Sequence, residues 1–411
     1  MTEQNRSDTV GSSGMKILHQ IQQTFSVPLH YPVLFTRKAF SEENECLAEV
    51  LAPVETERPE GERRRVMVFV DSGVDQAFPE WTRDITQWFA SRADRLDLVC
   101  EPEVLPGGET MKNDYRCVMS LVDKMLEYHL CRHSIVLVVG GGAVLDAAGF
   151  AVSLVHRGLR LVRMPSTTLA QNDAGIGVKN GMNLHGGKNT VGVFAAPHAV
   201  VNDLALLDGL SDTDWRAGIS EAFKVAMIKD AAFFQELCDM APALGRREEA
   251  AMERLVIRCA ELHLRHIATS GDPFELGSAR PLDFGHWSAH KLESLSNYRI
   301  GHGHAVAIGL AIDSQYAARM GWLPPETAET VIKALQTCGF DLHVPELQLK
   351  LGDGRPAVLQ GLDEFREHLG GRLTLSLPHP IGQTGEIHEV DESLMAECLH
   401  LPQRNTAQSQ K

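Results

Sequence analysis

Ile135-Val136-Leu137-Val138-Val139-Gly140-Gly141-Gly142-Ala143-Val144-Leu145-Asp146 is the stretch on which the fold turns. Five aliphatic residues in succession are the pattern of a strand buried on both faces, as in a parallel sheet, and the glycines that follow give way to a helix from Ala143. A strand, a glycine turn and a helix start bring bare backbone N–H groups and the positive end of a helix to one point, which suits a pyrophosphate. Gly-Gly-Gly-x-x-x-Asp is not the usual Gly-x-Gly-x-x-Gly spacing, so a plain tight turn stands as an equal reading of these residues alone. The apolar stretch from Ile135 to Val155 approaches the length of a bilayer span. Its three glycines and Asp146 fit strand, turn and buried helix better.

Extended segments are expected near Tyr31 to Arg37, over Val66 to Val70 and over Asp94 to Cys100, with a turn at Pro106-Gly107-Gly108-Glu109 and a helix over Asn113 to His129. A further strand covers Arg160 to Arg163. Pro165-Ser166-Thr167-Thr168 then opens a long polar loop carrying Asp173, Lys179, Lys188 and Asn189, and loops of that length tend to be functional. From about Asp212 the periodicity is helical: Trp215 to Asp230, Glu248 to Thr269, Gly285 to Ser296, His304 to Met320 and Pro325 to Cys338. The expected fold is α/β: a dinucleotide-binding parallel-sheet domain over 29–210, then an all-helical metal-binding domain over 211–400. Disordered tails are expected at 1–28 and 401–411. The N-terminal tail has no apolar segment after a basic patch, so it does not read as a signal peptide.

The formal charge of −15 with no basic block argues against nucleic-acid or membrane-surface binding, so any anion site must be local. Eight cysteines without a Cys-x-x-Cys pair suggest neither a disulfide scaffold nor a thiolate metal site, and a reducing cytoplasm fits.

Glu221, His286 and His302 are far apart in sequence, each inside a patterned helical segment: Gly218-Ile219-Ser220-Glu221, Phe284-Gly285-His286 and His302-Gly303-His304. One carboxylate and two neutral imidazoles, with positions left for water and substrate, suit a catalytic zinc. Among 18 histidines any single one is more often a surface or core residue than a ligand, so the weight falls on the neighbouring motifs.

Those motifs, in order, are Pro-Gly-Gly-Glu-x-x-Lys (Pro106 to Lys112), Gly-Gly-Gly-x-x-x-Asp (Gly140 to Asp146), Arg157-Gly158, and Pro-x-Thr-Thr-Leu-x-x-x-Asp (Pro165 to Asp173). Lys179, Gly187-Lys188-Asn189, Glu-x-x-Lys (Glu221 to Lys224), Phe-Gly-His-x-x-x-His and His-Gly-x-Ala-Val follow. Together they resemble the sugar phosphate cyclases, the family that contains 3-dehydroquinate synthase, over roughly Val66 to Gly382. The resemblance implies an NAD- and metal-dependent, phosphate-eliminating lyase that is a homodimer acting on a small sugar phosphate. It places Asp71, Glu109, Lys112, Gly141, Gly142, Thr167, Thr168, Asp173 and Lys188 at NAD, and Glu221, His286 and His302 at zinc or a similar divalent ion such as Co2+. It places Arg157 (from the neighbouring subunit), Lys179, Asn189, Lys224, Arg280, Asp283 and His290 around the substrate and its phosphate, with Asp146 facing both cofactor and substrate.

Three departures bear on the substrate. Asp283 replaces the Asn of the dehydroquinate synthase motif, Phe365 to Gly371 replaces a Lys-Lys pair, and Arg265 aligns with a Lys. Those lysines serve a substrate carboxylate in dehydroquinate synthases, so their loss argues against one here. Asp283 and Phe365 to Gly371 instead resemble the 2-epi-5-epi-valiolone synthase branch, which cyclises sedoheptulose 7-phosphate. His304 also replaces an acidic residue common in dehydroquinate synthases. The competing readings are 3-dehydroquinate synthase itself, a metal-dependent alcohol dehydrogenase of the glycerol dehydrogenase type, and a non-enzymatic NAD sensor. Iron-type dehydrogenases commonly pair an Asp with a His four residues on, and here the position four after Glu221 is Val225.

Overall fold

Apolar runs and their alternation build the first half of the computed structural model, which describes residues 19–52, 63–185, 187–269, 281–368 and 370–403. The strands are β1 (Val33–Thr36), β2 (Arg64–Asp71), β3 (Leu96–Leu98), β4 (Glu103–Leu105), β5 (Ile135–Gly140), β6 (Arg160–Pro165), β7 (Lys179–Leu184), β8 (Gly187–Phe194) and β9 (Ala199–Asp203). Between them lie α1 (Cys46–Leu51), α2 (Ser72–Ala77), α3 (Trp81–Ala90), α4 (Glu109–Asn113), α5 (Tyr115–Glu127) and α6 (Gly142–Leu154). A parallel sheet runs in the order β1-β9-β6-β5-β2-β3, with β4 also on β2.

Strand alternation sends Val66, Val68, Val70, Ile135, Leu137 and Val139 into one core beneath α1 and α3. Met67, Phe69, Val136 and Val138 enter the opposite core beneath α5 and α6. Both faces are covered, which is why these strands read as unbroken apolar runs. After β2 the chain adds β3 and β4 on one side, then crosses to place β5 on the other. The C-terminal ends of β2 and β5 therefore flank the topological switch point, where such sheets bind ligands.

The segment expected as a long polar loop is structured. Ala170–Ala174 is a π-helical turn, and β7 with β8 forms an antiparallel hairpin. Its strands, Lys-Asn-Gly-Met-Asn-Leu and Gly-Lys-Asn-Thr-Val-Gly-Val-Phe, carry glycine and asparagine, which read as turn residues. What holds the segment lies outside it: the fully buried Arg163 of β6 donates to the carbonyls of Gly175, Gly177 and Lys179 and to Asn180 Oδ1 at 2.6–3.2 Å. Arg163→Met leaves those acceptors unpaired and is expected to cost about 3 kcal/mol. Hydrogen exchange over residues 175–194 should accelerate before the rest of the sheet; unchanged protection there would show that the hairpin does not depend on Arg163.

From Asp212 the chain is mainly helical: α7 (Asp212–Lys229), α8 (Ala231–Gly245), α9 (Glu249–Thr269), α10 (His286–Leu295), α11 (His302–Arg319), α12 (Pro325–Thr337), α13 (Gln360–His368) and α14 (Glu392–Cys398). A small hairpin, β10 (Leu375–Pro378) with β11 (Thr384–Ile387), departs from the all-helical expectation. Ser211 caps α7 by accepting from Asp214 N at 3.2 Å, and Asp212 and Asp214 sit in the first turn, where the helix dipole favours them. α11 is apolar nearly all round and accordingly runs buried through the middle of this core. Sheet and helices belong to one unit from Tyr31 onward, while residues 19–30 contain no helix or strand. No helix among the described residues is long and apolar enough to cross a membrane.

Candidate active site

Three helices deliver the ligand-type residues: Glu221 from the middle of α7, His286 at the start of α10 and His302 at the start of α11. Small residues let them meet. A Cβ on Gly303 would lie 2.3 Å from Ala217 O of α7, and one on Gly309 would lie 2.0 Å from Gly285 O, just before His286. Ligand atoms of Glu221, His286 and His302 all fall within 4.8 Å of one another.

Glu221 is wholly buried, and its Oε1 lies 3.8 Å from His286 Nε2 and 3.6 Å from His302 Nε2. Those separations are too long for hydrogen bonds, and Oε1 has no hydrogen-bond partner. Lys224 Nζ, one turn on, ion-pairs with Oε2. His286 Nδ1 sits 3.0 Å from Phe284 O and His302 Nδ1 3.3 Å from Glu293 Oε2, which leaves both Nε2 atoms to face Glu221.

Burial pushes the Glu221 carboxyl up, but Lys224 and the two imidazoles outweigh it and hold the group well below the carboxylate range. Burial and the charge of Lys224 hold His286 well below the usual imidazole range. Burial also works against charge on His302, yet Glu221 and Glu293 raise it to about 9. An orphaned buried carboxylate oxygen between two imidazoles, drawing positive charge, fits a divalent cation held by three protein ligands with further positions open.

The glycine turn lies at the switch point. α6 starts at Gly142 with Gly141 as N-cap and no side-chain cap, so no capping side chain satisfies its first amides. This fits the phosphate of a dinucleotide. Asp71, at the end of β2, accepts from Gly73 N at 2.8 Å and from Gly141 N at 3.2 Å, so its carboxylate braces the turn. Beside it, Lys112 of α4 donates to Asp146 Oδ2 at 2.7 Å and to Asn189 Oδ1 at 2.5 Å. Asn183 of β7 donates to Glu109 at 2.7 Å and accepts from Asn189 N at 2.9 Å. Burial raises the Asp146 pKa against the pull of Lys112 and Arg163.

Thr167 caps the following turn by accepting from Ala170 N at 3.2 Å. Thr168 donates to Asp214 O at 2.8 Å and accepts from Gly218 N at 3.0 Å, so its hydroxyl joins the sheet to α7. Two residues expected at the cofactor also make contacts with the helical half. Asp173 lies 3.2 Å from His263 of α9, and Lys188 reaches Glu293 at 2.9 Å. His290 is exposed on α10, its ring 5.5 Å from that of His286 and 6.1 Å from that of His302. Lys179 is exposed on β7, and Asp283 stands in the turn leading to α10. Arg157 follows the far end of α6, whose 13 residues span about 20 Å, so it is remote from its own chain's glycine turn. Arg280 lies outside the described residues.

Residues 103–217 match the family model for the 3-dehydroquinate synthase N-terminal part, and residues 218–353 match that for the C-terminal part. The chain belongs to the 3-dehydroquinate synthase family. A 3-dehydroquinate synthase from Alkaliphilus metalliredigens (strain QYMF) is 30% identical over 331 residues, covering 80% of this chain and 88% of that protein. Among solved structures, ValA, a 2-epi-5-epi-valiolone synthase from Streptomyces hygroscopicus subsp. jinggangensis 5008 with NAD+ and Zn2+ bound, matches with a TM-score of 0.75. It is 24% identical, and the match covers 92% of this chain and 98% of that one. A 2-deoxy-scyllo-inosose synthase complexed with carbaglucose-6-phosphate, NAD+ and Co2+ matches with a TM-score of 0.66 at 21% identity, over 89% and 95% of the two chains. At these identities the structural likenesses establish the fold.

Two residues of this 3-dehydroquinate synthase family site were not singled out in sequence. His263 is buried beside Asp173, whose charge helps raise the pKa of Lys224, whereas Arg265, two positions on, is exposed. Glu293 stands seven residues after His286 and three after His290, on the same face of α10, and that spacing was the available signal.

Asp313 of α11 secures the start of α10, accepting from Trp287 Nε1 at 2.8 Å and Gly285 N at 3.0 Å. Burial pushes its carboxyl up to about 7, although both hydrogen bonds oppose this. The folded state therefore holds a proton that the unfolded chain releases near pH 4. The resulting stability is complete below that pH and is lost as pH rises through about 7. Between pH 5 and 8 the wild type should lose on the order of 2 kcal/mol more stability than Asp313→Asn. Thermal melts of both proteins across that range test this, and parallel curves would refute it.

Proposed function

We propose that this chain is an NAD- and metal-dependent sugar phosphate cyclase, a carbon–oxygen lyase that converts sedoheptulose 7-phosphate to a cyclitol of the 2-epi-5-epi-valiolone type and releases phosphate. We place it in the cytoplasm as a homodimer. The observation that carries the reading is the buried Glu221 carboxylate between His286 and His302 with Lys224 on its other oxygen, a ligand set with a cation built into it. A bound nicotinamide would supply reversible hydride transfer, and a Zn2+ or Co2+ ion held by Glu221, His286 and His302 would polarise a substrate hydroxyl.

The remaining roles belong to the chain. Gly141, Gly142 and the first amides of α6 hold the dinucleotide phosphates, with Asp71 bracing the turn and Glu109 and Lys112 beside it. Asp146, shielded by Lys112, orients a hydroxyl between cofactor and substrate. Lys224, Lys179, Asn189, Arg280 and His290 supply the local cationic and polar groups that a phosphate needs in a protein of net charge −15, and they offset the charge of the leaving group. Arg157, exposed and remote from its own glycine turn, is suited to serve a neighbouring subunit.

For the substrate, Asp283 stands where dehydroquinate synthases have Asn, Arg265 is exposed, and Arg366 pairs with Asp363 at 3.3 Å on the surface. This supports a substrate without a carboxylate. The names of the sequence relatives favour the runner-up, 3-dehydroquinate synthase. Purified protein with NAD+ and Zn2+ should release inorganic phosphate and form a cyclic product from sedoheptulose 7-phosphate. It should do neither with the 3-deoxy heptulosonate phosphate of dehydroquinate synthases. Release from the carboxylate-bearing substrate alone would overturn the valiolone-type assignment.

A further inference from the structure

We infer that Lys188 acts on the metal site by positioning: through Glu293 it orients His302, so that the β7–β8 hairpin completes the metal site from the sheet side. Lys188 Nζ lies 2.9 Å from Glu293 Oε1, and the other oxygen of that carboxylate lies 3.3 Å from His302 Nδ1. Glu293 is almost wholly buried, so the two oxygens it divides between Lys188 and His302 fix its rotamer and, through it, the plane of the His302 ring.

The site for Lys188 is built on both sides. After α10 the chain passes through two successive non-glycine residues in the left-handed region, Asn297 (φ +52°) and Tyr298 (φ +61°), a costly conformation that persists only where the surroundings impose it. The turn sets the Tyr298 ring beneath Lys188, 5.0 Å from the ammonium. On the hairpin side the next residue, Asn189, is held by Lys112, which also holds Asp146. One short hairpin segment thus touches the group behind a metal ligand and the polar cluster beside the glycine turn.

This inference rests on the metal-site reading, and its test separates the two. Zn2+ and Co2+ affinities are measured by competition with a chromophoric chelator for the wild type, Lys188→Met, Lys188→Arg, Glu293→Gln and the Lys188→Met/Glu293→Gln double variant. Thermal melts serve as the check on folding, and the visible spectrum of bound Co2+ reports ligand geometry. Glu293→Gln should weaken metal binding roughly 10- to 100-fold. Lys188→Met should weaken it several-fold and alter the Co2+ spectrum with little change in melting temperature, and Lys188→Arg should restore both. The double variant should be no weaker than Glu293→Gln, because Lys188 acts only through that carboxylate. Metal bound tightly by the wild type but equally by Lys188→Met, or additive losses in the double variant, would overturn the role of Lys188 alone. A wild type that takes up neither metal would overturn the metal site and this inference with it.

Discussion

Glu221→Gln is expected to abolish tight metal binding and to lower turnover by roughly a thousandfold or more. The substitution keeps the size of the side chain and changes the chemistry of two oxygens. A neutral amide is a poor ligand between His286 and His302, and it no longer offsets the Lys224 ammonium, which is itself buried. An unpaired buried cation costs about 3–5 kcal/mol, so a lower melting temperature should accompany the loss of metal. Elemental analysis after dialysis is the readout, with refolding checked by circular dichroism. Metal at full occupancy in a folded Glu221→Gln protein would remove Glu221 from the ligand set.

Lys224→Ala should separate catalysis from binding. Its ammonium is paired with Glu221 and raised in pKa by Glu221 and Asp173 against the effect of burial, so it stays charged through the neutral range. In the proposed reaction such a fixed cation offsets the charge of the leaving phosphate and lowers the barrier without adding to cofactor affinity. The expected result is a fall in kcat of roughly 100- to 1000-fold, with NAD+ affinity within about twofold of wild type. Metal affinity should hold or rise, since a neighbouring positive charge has gone. An unchanged kcat, or a loss expressed mainly in NAD+ affinity, would place Lys224 outside the chemistry.

The sheet was readable where strands are buried on both faces. Val66 to Val70 and Ile135 to Val139 are unbroken apolar runs because helices cover both sides, and their shortness, with turn residues directly after, favours a buried strand over a buried helix. The β7–β8 hairpin was not readable, because its strands are rich in glycine and asparagine and are tied by Arg163, a residue of another strand. α8 carries Pro242, and β4 and β9 are short, so local pattern is weak there.

Among site residues, motif order pointed to Glu221, His286 and His302, which the fold gathers, and to the glycine turn, which opens α6. It could not say which way a side chain turns. Asp173 and Lys188 follow the glycine turn in sequence and make contacts with α9 and α10, and the Thr168 hydroxyl bonds the backbone of α7. His263 and Glu293 carry no signature beyond helical spacing, and their relation to the candidate site exists only once α9, α10 and α11 are packed.

The most direct test of the cyclase assignment is the stoichiometry of NAD+ against phosphate. Purified protein is given Zn2+, excess sedoheptulose 7-phosphate and NAD+ at less than a tenth of the substrate, and inorganic phosphate and NADH are followed together. A cyclase that returns its hydride within each turnover releases many equivalents of phosphate per NAD+ with no accumulation of NADH, and stops when a chelator strips the metal. NADH formed one for one with substrate consumed, without phosphate, would contradict the account and make the protein a dehydrogenase on the same fold.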